Sequence, residues 1–242
     1  MPVLVKARKQ DAEPLPTPWF DGLLRRGILA EIGAAPNVGK SFVALRWASH
    51  LAERGFPILY VGMDTSLRDQ GERMFTMWHK RTPYDEEELE RWLHDTEIPM
   101  RWCDLNLSTG ALNELVQAEA IYFGQTPALV IVDVLAELVQ GEESVEGVSA
   151  VVSDLKTIAR EQHCCVVALH HLRDGIAGAG NSPVSLQDFR YEKGRYAEIM
   201  FGLWRAGNDL AMRVLKNRSG ARGAEAYLTF DPARGYVEYS HA

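Results

Sequence analysis

From residue 27 onward, short runs of aliphatic residues alternate with stretches whose apolar positions recur at helical spacing. The runs are GILAEIG, PILYVGMD, MRWCDL, ALVIVDVL and CCVVALHH, and their apolar cores read as buried strands. Between them, FVALRWASHLAERG, LRDQGERMFTMWHKR, ALNELVQAEAIYF and VSAVVSDLKTIAREQ show the helical period. One polar, acidic insertion, PYDEEELERWLHD, interrupts the series. Strands apolar throughout and separated by helices predict an α/β fold with a mainly parallel sheet flanked by helices on both faces. After residue 172 the pattern changes: RDGIAGAGNSPVSLQDFRYEKGRY is rich in Gly, Ser and charge, and is expected to be a loop or lid. Two β-like runs around Gly207-Asn208, followed by AYLTFD and GYVEYS, predict antiparallel strands that extend the sheet, with Gly-Asn as a hairpin turn. Four prolines within residues 1–18 (Pro2, Pro14, Pro16, Pro18) predict a mobile arm there, with the folded domain over 19–242.

Composition narrows the class. The chain has 242 residues, 46% hydrophobic and 24% charged, which is ordinary for a globular domain and far from disordered or collagenous compositions. No apolar stretch reaches the ~18–20 residues that span a bilayer, and the first residues lack an apolar signal region, so no membrane partner is expected. Three cysteines, Cys103, Cys164 and Cys165, do not make a disulfide framework, and a reducing, cytoplasmic compartment is the expectation. The net charge of −7 is unevenly spread: residues 1–81 carry +4, residues 82–155 carry −14 and residues 156–242 carry +3. Because binding follows local potential, this acidic total leaves room for a polyanionic partner.

Chemistry concentrates in GAAPNVGKS, residues 33–41, directly after a strand and before a helix. Residues 34–41 fit the P-loop pattern, with Ala where the first Gly usually stands. The candidate phosphate cradle comprises Gly33, Ala34, Ala35, Pro36, Asn37, Val38, Gly39, Lys40, Ser41 and Phe42. In such a loop backbone N–H groups hold phosphate oxygens, the lysine (Lys40) reaches the β- and γ-phosphates, and the hydroxyl of Ser41 ligates Mg²⁺. ALVIVDVL places Asp133 at the carboxyl end of a buried strand, where parallel sheets bind ligands and where a carboxylate can hold the metal shell. PILYVGMD places Asp64 at the equivalent edge of another strand. CCVVALHH ends in His170 and His171, whose side chains must point to opposite faces; no spacing completes a four-ligand metal set, so a γ-phosphate contact is the better reading.

Together these motifs resemble the RecA-fold motor domain of DnaB-type replicative helicases, most closely the small RepA-type plasmid and phage enzymes. GAAPNVGKS is similar to that family's P-loop, and Asp133 takes the place of its Walker B aspartate. Asp64 stands where the family keeps a catalytic glutamate that polarises the attacking water, and His171 falls on the γ-phosphate sensor position. VLKNRSG resembles the Lys-x-Arg-x-Gly segment that reaches the neighbouring subunit's nucleotide, which puts Lys216 and Arg218 in those positions.

The resemblance implies an ATP- and Mg²⁺-dependent, ring-forming DNA motor: a helicase acting on single-stranded DNA, a homo-oligomer with a hexameric ring expected, and a replication initiator, loader or single-strand-binding protein among its partners. Its alternatives are a small RecA-like recombination or annealing ATPase, and a nucleotide-regulated assembly protein with weak hydrolysis. Asp64 is one methylene shorter than Glu, and a displacement of ~1 Å can slow chemistry about 10²-fold. The segment after Asp133 is acidic, so the DNA-binding candidates are the basic residues of the Gly-rich segment: Arg173, Arg190, Lys193 and Arg195.

Overall fold

A computed structural model describes residues 13–63, 65–139, 144–172, 180–189 and 196–239. Within it, nine strands form one sheet in the order β3-β2-β4-β5-β1-β6-β7-β8-β9. The strands are β1 (Leu29–Ala34), β2 (Ile58–Gly62), β3 (Met100–Cys103), β4 (Leu129–Asp133), β5 (Cys165–His171), β6 (Ile199–Ala206), β7 (Asp209–Asn217), β8 (Glu225–Asp231) and β9 (Tyr236–Tyr239). The first six are mutually parallel and the last three extend the sheet antiparallel, as the sequence predicts. Gly207 and Asn208 form the two-residue connection between β6 and β7, with Gly207 at φ +68°.

Helices α1 (Lys40–Ala52), α2 (Leu67–His79), α3 (Glu86–Asp95), α4 (Thr109–Phe123) and α5 (Val145–Glu161) cover both faces. On one face, α1 and α2 bury Ile32, Ile131, Val167 and Phe201 of the sheet; Trp47 of α1 packs edge-on against Phe201 with centroids 5.4 Å apart. On the other, α4 and α5 bury Leu29, Val130 and Val166. Side chains alternate between these cores along each strand, so the continuous apolar runs follow from burial of both faces. Among the described residues, no helix is long and apolar enough to cross a membrane.

Two expectations shift. The acidic insertion is a helix, α3: Asp85 caps it by accepting from the amide of Glu88 at 2.8 Å, and Glu86, Glu87 and Glu88 lie in the first turn, where the helix dipole favours negative charge. Leu89 is buried, and Trp92 packs edge-on against Phe75 of α2. The packed structure also begins before residue 19. Leu15 is fully buried, its amide donates to the carbonyl of Leu24 at 2.8 Å, and Thr17 is buried. Proline density signals extended chain, and extended chain packs when an apolar side chain such as Leu15 points inward. Residues 1–12 lie outside the described residues.

Candidate nucleotide site

The carboxyl ends of β1, β2, β4 and β5 converge on a cavity of about 390 Å³. Between β1 and α1 the loop turns at Asn37 (φ +59°) and Gly39 (φ +127°); the latter conformation is open to glycine and strained for any L side chain. The turn brings Lys40 and Ser41 into the first turn of α1, beneath the cavity. Lys40 is almost fully buried. Its Nζ donates to the carbonyls of Ala34 and Ala35 at 3.1 and 3.2 Å and lies 3.4 Å from Nδ1 of His171. Burial lowers its pKa to about 8, against the opposing pull of Asp133.

Asp133, at the end of β4, faces the same space and is buried. Its Oδ2 accepts from the phenol of Tyr60 at 2.7 Å, and the phenol is also hydrogen-bonded to the Ser41 side chain. The two oxygen donors expected to hold Mg²⁺ are therefore linked through one tyrosine. A buried ammonium at a helix N-terminus, with hard oxygen donors beside it, fits a metal-bound polyphosphate.

The cavity's other end was not marked by the strand-end motifs. Arg73 from α2, Arg205 from β6 and Phe230 from β8 line it. The Arg205 guanidinium lies 4.3 Å from the Phe230 ring centroid, Phe230 meets Phe42 edge-on at 5.3 Å, and Arg73 lies over Phe42 at 5.7 Å. Such stacked cation and aromatic groups suit a planar, partly charged ligand. Three cations (Lys40, Arg73 and Arg205) thus share the cavity lining with one described carboxylate, Asp133. The sequence signal available in advance was weak: an arginine and an aromatic near strand ends, recognisable only once β6 and β8 are placed beside α1.

Gly33, Ala34, Ala35, Pro36, Asn37, Val38, Gly39, Ser41 and Phe42 fall on the β1 end, the turn and the α1 start, around Lys40. His170 and His171 separate as expected, His171 onto the cavity and His170 onto the opposite face, where its ring meets Phe189 at 5.4 Å. Asp64 lies outside the described residues, but its surroundings are held. Gln70 of α2, buried, donates to the carbonyls of Gly62 and Thr65 at 3.0 and 2.7 Å, and the Met63 amide donates to the Asp133 carbonyl at 2.9 Å. Sequence reasoning missed Gln70 and Tyr60 alike, since neither stands at a strand terminus.

Arg173, Arg190, Lys193 and Arg195 lie outside the described residues. Their neighbours Leu172 and Phe189 pair with one another as an isolated antiparallel bridge beside β5. Lys216 and Arg218 are brought together, but not with Lys40. Asn217 pairs with Ile199 and Ile199 with Ala30, which sets them level with the start of β1, at the end of the sheet remote from the phosphate loop. There Lys216 donates to the Ala197 carbonyl and the Arg218 amide to the Glu198 carbonyl.

Comparison with known proteins agrees with this geometry. A sequence profile described as an AAA domain matches residues 1–175. The Gene 65 protein of Mycobacterium phage L5 is 28% identical over 238 residues, spanning 88% of this chain and 87% of the relative. The Gene 65 protein of Mycobacterium phage D29 is 27% identical over 207 residues, 77% of this chain and 87% of the relative. Among solved structures, an ATPase domain solved on its own superposes with a TM-score of 0.75 at 18% identity, covering 89% of this chain and 86% of that one. A DnaB-like replicative helicase, studied with its primase interactions, gives 0.75 at 19% identity over 89% of this chain and 58% of that one. A KaiC-like protein from Pyrococcus horikoshii OT3 gives 0.67 at 14% identity, over 94% and 97%. At these identities the structural likenesses establish a shared RecA-like fold.

Proposed function

We propose that this chain, which belongs to the AAA domain family and is a P-loop ATPase, is a helicase-type motor that assembles into a ring and hydrolyses ATP while moving along single-stranded DNA. The observation that carries the reading is the strand-end constellation of Lys40, Ser41, Asp133 and His171 around one cavity, in a sheet superposable on a DnaB-like helicase. Lys40 and the loop amides hold and neutralise the triphosphate, and His171 adjoins the lysine's charged end. Ser41 and Asp133 hold the Mg²⁺, which supplies further charge neutralisation when bound. Asp64 orients the attacking water. Such a site works by positioning and charge stabilisation rather than by covalent chemistry.

The remoteness of Lys216 and Arg218 from Lys40 within one chain supports assembly, because these cations can act only on the nucleotide of a neighbouring subunit. Arg173, Arg190, Lys193 and Arg195 supply the contacts to DNA phosphates. ATP turnover measured with and without single-stranded DNA, together with unwinding of a forked duplex, tests the whole reading. DNA-stimulated turnover with ATP-dependent unwinding is the expected result. Stimulation without unwinding would replace the helicase by an annealing ATPase, and turnover indifferent to DNA would remove the motor role.

A further inference from the structure

Facing α1, the side chains of β1, β2, β4 and β5 are small or aliphatic except for Cys165, Tyr60 and the strand-end pair Asp133 and His171. A phenol in the middle of that layer is out of pattern. Tyr60 aligns with Ile131 on the neighbouring β4, so Asp133 lies two residues further along the same face, within reach of a long side chain leaning along the strand. Its hydroxyl donates to Asp133 at 2.7 Å and is hydrogen-bonded to Ser41, and both it and Asp133 are buried. No route to solvent is needed to satisfy either group.

We infer that Tyr60 is a positioning residue for the metal shell: it fixes the rotamers of Ser41 and Asp133 before Mg²⁺ arrives and remains their common hydrogen-bond partner afterwards. This rests on the reading of the cavity as a Mg²⁺-nucleotide site. A hydroxyl that ligates a metal through a lone pair needs somewhere to direct its proton, and Tyr60 Oη takes that hydrogen bond from Ser41. By donating in turn to Oδ2, the phenol leaves the rest of the Asp133 carboxylate for the metal or its waters. Burial and the adjacent carboxylate push the phenol's pKa well above its ordinary value of 10.0, so it keeps its proton and stays a donor at physiological pH. Partners that orient metal ligands from behind commonly matter about 10–100-fold in metal affinity.

The test is a Mg²⁺ titration of nucleotide binding, followed by fluorescence of a labelled ATP, in the unaltered chain and in Tyr60→Phe. The ring is kept and only the hydroxyl is lost. Removing it should move the Mg²⁺ midpoint upward about tenfold or more, while affinity for the same nucleotide in excess chelator stays unchanged. In a Ser41→Ala background the Tyr60→Phe shift should shrink, because part of it acts through Ser41. A second measurement keeps the fold untouched: 3-fluorotyrosine placed at position 60 should change its ¹⁹F resonance when Mg²⁺ is added to the nucleotide-bound protein. An unmoved midpoint in folded Tyr60→Phe, or a fluorine signal blind to Mg²⁺, would overturn the inference while leaving the nucleotide site standing. Metal-independent nucleotide binding in the unaltered chain would overturn the site reading and this inference together.

Discussion

Adjacent residues at the end of β5 lead to two unlike environments. On the face toward α1, His171, Lys40, Tyr60, Ser41 and Asp133 form a connected set of polar contacts between 2.7 and 3.4 Å. On the face toward α5, His170 meets Glu31, a carboxylate fully buried in the middle of β1, with Nδ1 3.5 Å from Oε2. Among the described residues, neither carboxylate oxygen of Glu31, nor Nδ1 of His170, has a hydrogen-bond partner. Nearby Glu198 shows what a satisfied carboxylate looks like here: it lies 3.0 Å from Lys156 and 3.3 Å from Arg160 and accepts from the Leu29 amide at 3.2 Å. The contrast teaches that the same strands carry polar groups for opposite reasons. In front they are arranged to receive a ligand; behind, a loosely coupled acid and imidazole sit in a core that loses stability by holding them.

The sharpest break in the comparison comes from removing the front-face cation. Lys40→Ala should cut ATP turnover by about 10²- to 10³-fold, since it deletes the charge facing the phosphates. Its melting temperature should hold or rise, because a buried ammonium leaves the fold. Turnover at the unaltered rate would mean that the front face is not the catalytic one.

Behind the sheet, the signature is in stability rather than rate. His170→Leu strands the Glu31 carboxylate and should cost about 3–5 kcal/mol, whereas Glu31→Leu combined with His170→Leu should be neutral or stabilise by about 1–4 kcal/mol. Urea unfolding of both variants decides it: if the double variant is no more stable than the single one, the pair is better satisfied than its geometry shows.

A smaller effect on the same face tests how tightly the back core abuts the phosphate loop. Phe189 lies where a Cβ on Gly33 would stand, its nearest ring atom 2.3 Å from that position. Gly33→Ala should therefore destabilise by about 1–3 kcal/mol through overpacking, and Phe189→Leu in the same chain should recover part of the loss. Thermal melts of the two variants give the answer, and a Gly33→Ala melt identical to that of the unaltered chain would show that the ring yields freely.

Much of the front face was legible in the sequence because its chemistry sits at strand ends. GAAPNVGKS, Asp133 and His171 each follow an apolar run, and a run that stops at a polar residue announces both a strand and the edge where ligands bind. Tyr60 was hidden by its position within a run, where an aromatic reads as core, and its partners are set by the register of β2 on β4. Glu31 was hidden in the same way: GILAEIG reads as a strand, and nothing local says that its acid points at a histidine 139 residues later. The helical nature of PYDEEELERWLHD was obscured by charge, although Asp85 followed three residues later by Glu88 is a cap-like spacing. Arg73, Arg205 and Phe230 come from three distant elements, and only the placement of β6 and β8 beside α1 assembles them.

The mildest probe of the two faces is pH, because only the front face carries a group whose displaced pKa lies near physiological conditions. Burial lowers Lys40 to about 8 from an ordinary value of 10.5. Below about pH 8 the lysine is protonated in both folded and unfolded chains, and burial of its charge opposes folding in full. Between about pH 8 and 10.5 the unfolded chain binds more protons, so this opposition fades and the contribution to stability rises with pH. Nucleotide binding responds in the opposite sense, since a triphosphate favours the ammonium and must draw a proton onto Lys40 wherever the free site has lost it. Binding at about pH 7 should take up little proton at this residue, while binding at about pH 9 should take up close to one, and affinity should fall by up to about tenfold per pH unit across that upper range. Calorimetric titrations in two buffers of different ionisation enthalpy count the proton directly, and Lys40→Arg, always charged, should abolish the uptake at about pH 9 if it still binds. Glu31→Leu with His170→Leu should leave the proton count unchanged, because the back-face pair lies across the sheet from the phosphates. A proton count that stays flat across this range in the unaltered chain would mean that Lys40 is held in one protonation state by the site itself, and a count that changes with the back-face substitutions would erase the distinction between the two faces.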